Sequence, residues 1–204
     1  LSHLEDITPH YAETLALWDH DQALADVVWV IRTFQPDVIV TRFDENPPNH
    51  GHHTASAILA REAFAAAADP KRFPEQLRDG VKPWQAERLF RNQGLWRGDP
   101  PPEGALRLNV GAYDPRLGLG YGELAALSRS QHRSQGFGVP GQRGEILEYF
   151  VPLAGSKPPG DDILGGLDLT WNRFGAAAAP LIAALDRARA TLERDAPERA
   201  IPAL

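Results

Sequence analysis

A helix pattern that leads directly into a wholly apolar strand pattern is the feature that most constrains the fold of this chain. Residues 20–34 carry apolar side chains at the i, i+3, i+4, i+7 spacing of one buried helix face. These side chains are Leu24, Val27, Val28, Ile31 and Phe34. Pro36 ends the helix, and the continuous run Val38-Ile39-Val40 is typical of a parallel strand that is buried on both faces. A helix, a tight turn and a buried strand form half of an α/β unit, so the sequence predicts an α/β fold.

The rest of the chain alternates between apolar segments and loops rich in Gly, Pro and Asp. The strand is followed by a loop over residues 42–53, whose composition is strongly polar. We predict helices at residues 54–68, 121–135 and 169–194, and strands at residues 88–92, 106–110 and 146–153.

Composition excludes several classes of function. The 204 residues are 43% hydrophobic, which is enough for one sizeable core. A net charge of −6 without a basic run argues against nucleic-acid binding, and no stretch approaches the 18 apolar residues of a membrane span. Because the chain has no cysteine, any metal must be held by histidine and carboxylate ligands.

Three histidines lie within four positions after the predicted strand, in His50-Gly51-His52-His53. In open α/β sheets, ligands bind outside the carboxyl ends of the strands, which is where this cluster falls. Imidazole is the commonest protein ligand of zinc, and His50 and His53 can face the same way if the loop enters a helical turn, whereas we expect His52 to point elsewhere. A catalytic zinc takes about three protein ligands, so carboxylates from another strand end would complete the site. An ordinary solvated loop is an equally open interpretation.

Two elements of the sequence carry a family resemblance. The segment 35–41, Gln-Pro-Asp-Val-Ile-Val-Thr, followed by His50-Gly51-His52-His53, resembles the PIG-L/LmbE-like de-N-acetylases. That family has a strand with Pro-Asp-Val and then a His-Pro-Asp-His loop, whose two histidines match His50 and His53. Gly51-His52 replaces the central Pro-Asp. The stretch Ser128 to Gln135 resembles the family's later His-x-Ser-Gln element, and the similarity runs over about residues 10–153.

The resemblance implies a three-layer, Rossmann-like, mostly parallel sheet with flanking helices. It also implies a zinc-dependent hydrolase that removes an N-acetyl group from an amino sugar or glycoconjugate. His53 is then a zinc ligand, and His50 is the catalytic group that stabilises the oxyanion or protonates the leaving amine. Since His52 stands where the family has an aspartate that can orient the first histidine, Asp44 or Glu45 is the alternative partner of His50.

The family's N-terminal His-Pro-Asp-Asp motif, which supplies two further zinc ligands and the general base, does not occur in this sequence. The chain begins at Leu1 and contains no methionine. We therefore expect an N-terminally truncated chain that is inactive on its own.

Arg42 and His132 are the candidate substrate-binding residues. Arg42 comes one residue after the strand run and could contact substrate, or it could be a solvated arginine. His132 belongs to the second family-like element, where it either lines the pocket or has a capping or packing role near the end of a helix.

We predict a deacetylase-type domain over residues 1–153 and a linker with a helical extension over residues 154–204. The leading function is a metal-dependent amidohydrolase acting on a small N-acetylated sugar or glycoconjugate. The missing acidic motif and His52 favour a different class, namely a catalytically inactive carbohydrate-binding or structural homologue. A histidine-rich metal-storage module is the third class, and tight zinc binding without hydrolysis would support it. The sequence indicates neither compartment nor oligomeric state.

Overall fold

The computed structural model of the chain describes residues 10–46, 50–78, 80–94, 100–135, 137–193 and 195–203. The described helices are α1 (Tyr11–Trp18), α2 (His20–Phe34), α3 (Gly51–Ala66), α4 (Tyr121–Arg129) and α5 (Ala179–Thr191). The strands are β1 (Val38–Thr41), β2 (Arg88–Gln93), β3 (Leu106–Asn109), β4 (Tyr113–Asp114), β5 (Leu119–Gly120) and β6 (Leu147–Gly155). Short 3-10 helices occupy Pro74–Leu77, Trp171–Ala178 and Pro197–Ala203.

Four strands form one mixed sheet in the order β1-β2-β6-β3, and β4 pairs with β5 in a separate two-stranded sheet. β1 and β2 are parallel, with Thr41 beside Arg91 at the carboxyl end of the pair. β6 runs antiparallel to both of its neighbours. The α/β class is therefore confirmed, whereas among the paired strands of the described residues β1 and β2 alone are parallel neighbours. An apolar strand pattern fits either strand direction, which is why the sequence did not reveal the antiparallel pairs.

The main apolar core lies between α2 and α3 and reaches the sheet at Ile39. Leu24 and Val28 of α2 are fully buried and pack with Leu59 and Ala63 of α3. Leu24, Val27, Val28 and Ile31 of the helix face read from the sequence pack in this core. The predicted burial of Phe34 is wrong, because this side chain is 78% exposed at the end of α2. Burial of a leucine-sized side chain is worth about 1.5–3 kcal/mol, so this helix pair contributes strongly to stability.

The helix predictions are confirmed in place but differ in length. α2 has the predicted bounds, whereas α3 begins at Gly51, three positions before the predicted residue 54. α4 ends at Arg129, earlier than the predicted residue 135. The predicted helix 169–194 is broken at Gly175, whose φ of 61° lies outside the helical region, and α5 then runs to Thr191.

The chain divides into two compact units, Leu1–Gly165 and Gly166–Leu204. The boundary predicted after residue 153 falls within β6, and the role of the C-terminal extension stays a prediction. Within the described ranges, no helix is both long enough and apolar enough to cross a bilayer.

Candidate active site at the carboxyl edge of the sheet

The carboxyl ends of the parallel strands β1 and β2 meet at one edge of the sheet, and the histidine cluster follows at the start of α3. A cavity of about 380 Å³ lies at this edge. Its lining residues come from the segments after β1, at the end of β2 and in the first turn of α3. They are Arg42, Phe43, Asp44, His53, Arg91, Gln93 and Gly94. The site therefore sits where ligands bind in open α/β sheets.

His50 caps the amino end of α3, and this placement brings two of the histidines together. Its backbone is extended, with φ −71° and ψ 160°, and its carbonyl accepts hydrogen bonds from the N–H groups of His53 at 3.1 Å and Thr54 at 3.2 Å. The ring centroids of His50 and His53 are 3.5 Å apart. The loop thus enters the helical turn that the spacing of the two residues requires.

His52 faces a different neighbour. Its ring stacks on Trp18, with centroids 5.4 Å apart, and lies edge-on to His50 at 6.2 Å. Trp18 comes from the end of α1, an element that the sequence did not predict. The aromatic wall beside the histidine cluster was therefore missed, since no local pattern links residue 18 to residue 52.

The ring of His53 is packed between two other rings. Phe43 stacks on it nearly in parallel, with centroids 3.5 Å apart and planes 6° from each other. Burial lowers the pKa of His53, and the charges that His50 and His52 carry when protonated lower it further. Both effects favour the neutral form of His53, which is the form that has a free nitrogen lone pair.

His50 carries an unsatisfied polar atom. Its Nδ1 is buried and has no hydrogen-bond partner within the described structure. Neither of the carboxylates suggested by the sequence holds that nitrogen, since Asp44 pairs with Arg91 and Glu45 pairs with Arg61. Neither carboxylate is therefore a partner of Nδ1, and the orientation of His50 by Asp44 or Glu45 stays a prediction.

Two guanidinium groups border the cavity. Arg42, predicted as a substrate-binding residue, lines it together with His53 and has 48% of its side chain exposed. Arg42 donates to Asn92 and to Glu148 Oε2, the latter at 3.4 Å. Arg91 was not singled out by the sequence, although the strand register places it beside Thr41 at the mouth of the site.

Arg91 has one buried nitrogen, Nε, that lacks a hydrogen-bond partner within the described residues. Its Nη1 pairs with Asp44, and its Nη2 donates to Gln93 Oε1 at 2.7 Å. Its Nε is buried and finds no acceptor in the part of the chain that the structure describes. A buried unpaired donor costs about 1–3 kcal/mol, which a polar ligand at the cavity could offset.

His132, the other predicted substrate-binding residue, lies elsewhere. It is exposed just beyond α4, where its backbone N–H donates to the Arg129 carbonyl at 3.0 Å. It is not one of the residues that line the cavity. The structure thus brings Arg42, His50 and His53 together and leaves His132 outside this group.

A catalytic zinc needs about three protein ligands and an open position for water or substrate. The imidazole of His53 is a suitable nitrogen donor. The described ranges contain no group of three or more His, Cys, Asp or Glu side chains that could hold a metal ion. The described residues therefore offer part of a zinc site and do not fit a complete one on their own.

Comparison with known proteins gives one informative match. Models of known protein families give no match to the sequence. Part of this chain is similar to an amidase. It is 36% identical over 83 residues to mycothiol S-conjugate amidase of Streptomyces coelicolor, and the match covers 40% of this chain but only 27% of that protein. The similarity gives loose support to the family resemblance described above.

Proposed function

We propose that the chain is part of a zinc-dependent hydrolase that removes an N-acetyl group from an amino sugar or glycoconjugate. The observation that carries the proposal is the imidazole of His53, packed between Phe43 and His50 in a cavity at the carboxyl edge of the sheet. The similarity to an amidase supports the reaction class, since deacetylation of an amine is hydrolysis of an amide bond.

His50 is proposed as the group that assists the breaking of the amide. Its ring lies against His53, and its buried Nδ1 has no protein partner within the described residues. A nitrogen in this state can donate a hydrogen bond to a developing oxyanion or pass a proton to the leaving amine. A donor that is in place before the reaction does not have to reorganise during it.

Arg42 and Arg91 are proposed to hold the polar groups of the substrate. Both line the cavity, and Arg91 keeps an unpaired Nε. Guanidinium groups donate several hydrogen bonds from a rigid plane, which suits the recognition of sugar hydroxyl and carbonyl oxygens. The chain would thus bind substrate through two cations and act on it through two imidazoles.

The resemblance to the PIG-L/LmbE-like de-N-acetylases is the reason for proposing zinc, with His53 as one of its ligands. The remaining donors would have to come from outside the described residues, because these contain no three-donor group.

The test compares three single variants of the full-length protein for bound zinc and for acetate released from N-acetylglucosamine. We expect His53→Ala to lose zinc and to lower activity at least about 100-fold. We expect His50→Ala to keep zinc and to lower kcat about 100–1000-fold. His20→Gln is the control, since His20 pairs with Asp21 and Glu62. Equal zinc content in wild type and His53→Ala would show that His53 is not a zinc ligand.

The absence of a three-donor group among the described residues favours a second candidate, a carbohydrate-binding homologue without activity. The same experiment separates the two. Saturable binding of N-acetylglucosamine without zinc and without acetate release would favour the second candidate.

A further inference from the structure

A second cavity, of about 510 Å³, lies between α4 and the segment that leads into β6. Most of its lining is apolar, and Val110, Ala125, Val139 and Ile146 contribute to it. β3 runs parallel to β2 through their shared neighbour β6, so its carboxyl end at Val110 lies at the same edge of the sheet as the candidate active site. Two cavities of different chemical character therefore open on one edge.

Glu148 connects the two cavities. It lines the apolar cavity, and its Oε2 accepts from Asn92 at 2.7 Å and from Arg42 at 3.4 Å. Arg42 in turn lines the cavity that contains His53. The Arg42–Glu148 pair thus joins the lining of one cavity to the lining of the other.

Close packing and hydrogen bonds hold the wall of the apolar cavity in place without a ligand. A Cβ at Gly122 would come within 2.6 Å of the Gln142 carbonyl oxygen, so only glycine lets the start of α4 pack this closely on the segment beside it. The Arg143 Nε donates to Glu123 at 2.7 Å, and the Val110 N–H donates to the Ile146 carbonyl at 2.8 Å. The segment is therefore anchored to α4 and to the end of β3.

We propose that the apolar cavity is a subsite for an aryl or alkyl substituent of the substrate whose amide lies beside His53. This inference rests on the proposed function. An uncharged occupant is favoured because the two charged residues of the lining, Arg129 and Glu148, have opposite sign, and because Glu148 is already paired with Arg42. Burial of apolar surface is then the main source of affinity.

The experiment measures the dissociation constants of two probes for the full-length protein by titration calorimetry. The probes are the methyl and the benzyl glycoside of N-acetylglucosamine, which differ only in the substituent. We expect the benzyl glycoside to bind about tenfold more tightly, as follows from burying one aromatic ring. Ala125→Trp, which fills the cavity from an exposed position of α4, should abolish this preference.

Ser128→Trp is the matched control, because Ser128 is exposed on the same helix but does not line the cavity. It should keep the benzyl preference. Val139→Asp is the second variant if Ala125→Trp fails to fold, as judged by circular dichroism. Three results would each overturn the subsite. They are equal dissociation constants of the two glycosides in wild type, no measurable binding of the benzyl glycoside, and a benzyl preference that persists in Ala125→Trp.

The two proposals can fail separately. A benzyl preference without any acetate release would retain the subsite and overturn the hydrolase. Acetate release from both glycosides with equal dissociation constants would retain the hydrolase and overturn the subsite.

Discussion

Arg32 and Arg91 lie in different regions of the α/β unit, and their guanidinium groups differ in how completely they are hydrogen-bonded. Arg32, in the core between α2 and α3, is 1% exposed, and all three of its nitrogens donate hydrogen bonds. Its acceptors are the Gln76 side chain and the carbonyls of Ala66, Ala67, Asp69, Arg72 and Phe73. Arg91, at the carboxyl edge of the sheet, has 18% of its side chain exposed and keeps a buried Nε without an acceptor in the described structure.

The comparison separates a polar group whose hydrogen bonds are complete from polar groups that lack a partner within the described residues. Arg32 ties the end of α3 and the turn after it to α2, and no donor is left over. At the sheet edge, Arg91 Nε and His50 Nδ1 are both buried and unpaired within the described ranges. Unsatisfied groups of this kind cost stability, and they gather at the cavity that contains His53.

The largest expected effect comes from Arg32→Met. This change removes the six hydrogen bonds that the buried guanidinium donates, so the free energy of unfolding should fall by about 3–5 kcal/mol. Urea denaturation followed by circular dichroism measures it. Arg78→Met is the control, since Arg78 is exposed in the neighbouring segment. A loss below about 1 kcal/mol would mean that the comparison is wrong about Arg32.

An intermediate effect is expected for Arg91→Met. It removes the pair with Asp44 and the hydrogen bond to Gln93 but also removes the unpaired Nε. These terms partly cancel, so the free energy of unfolding should fall by only about 1–2 kcal/mol.

The Arg91→Met change should affect ligand binding more strongly than it affects the free energy of unfolding. We expect the dissociation constant for N-acetylglucosamine to rise about tenfold, since one charged donor to the ligand is lost. Arg107→Met, at an exposed position of β3, should leave both quantities unchanged. A stability loss equal to that of Arg32→Met, with unchanged binding, would place Arg91 among the structural arginines.

A smaller effect is expected for Phe43→Leu, which keeps apolar volume but removes the ring stacked on His53. The free energy of unfolding should fall by about 0.5–1.5 kcal/mol, the value of an aromatic pair beyond its buried area. If stacking also positions the imidazole, bound zinc in the full-length protein should fall while the His50→Ala variant retains it. Unchanged zinc content would show that the first turn of α3 alone fixes the His53 ring.

The sequence was informative where structure is set locally. α2 and β1 were predicted at nearly their observed positions, because the helix periodicity, Pro36 and the apolar run all act over a few residues. The pairing of His50 with His53 also follows from local spacing. The roles assigned to Arg42, His50, His53 and His132 stay predictions.

The contacts that the sequence did not reveal are long-range. Arg91 reaches the site through its register with Thr41, Trp18 through the packing of α1 near α3, and Glu148 through an antiparallel strand. Strand direction and register depend on which segments meet in the folded chain, and periodicity along one segment does not encode them. The contributions of these three residues therefore became visible only in the structure.

The smallest expected effect concerns the pH dependence of stability, and it uses the histidine that contrasts with His53. The pKa of His20 is raised, first by its hydrogen bond to Asp21 and then by the hydrogen bond and charge of Glu62. Since folding favours the protonated ring, this stabilisation is fully present below the ordinary pKa of about 6.5 and is lost as the pH rises through the higher pKa of the folded state.

His20 is 36% exposed, so solvent screening limits the contribution to less than about 0.5 kcal/mol. Glu62→Gln should flatten the difference in thermal stability between pH 5.5 and pH 8.5, whereas Glu13→Gln, an exposed change of the same charge on α1, should not. A pH profile that is unchanged by Glu62→Gln would show that Asp21 alone holds His20. The contrast with His53 would then lie in burial rather than in the number of partners, because burial lowers the pKa of His53 while a single carboxylate raises the pKa of His20 at the surface.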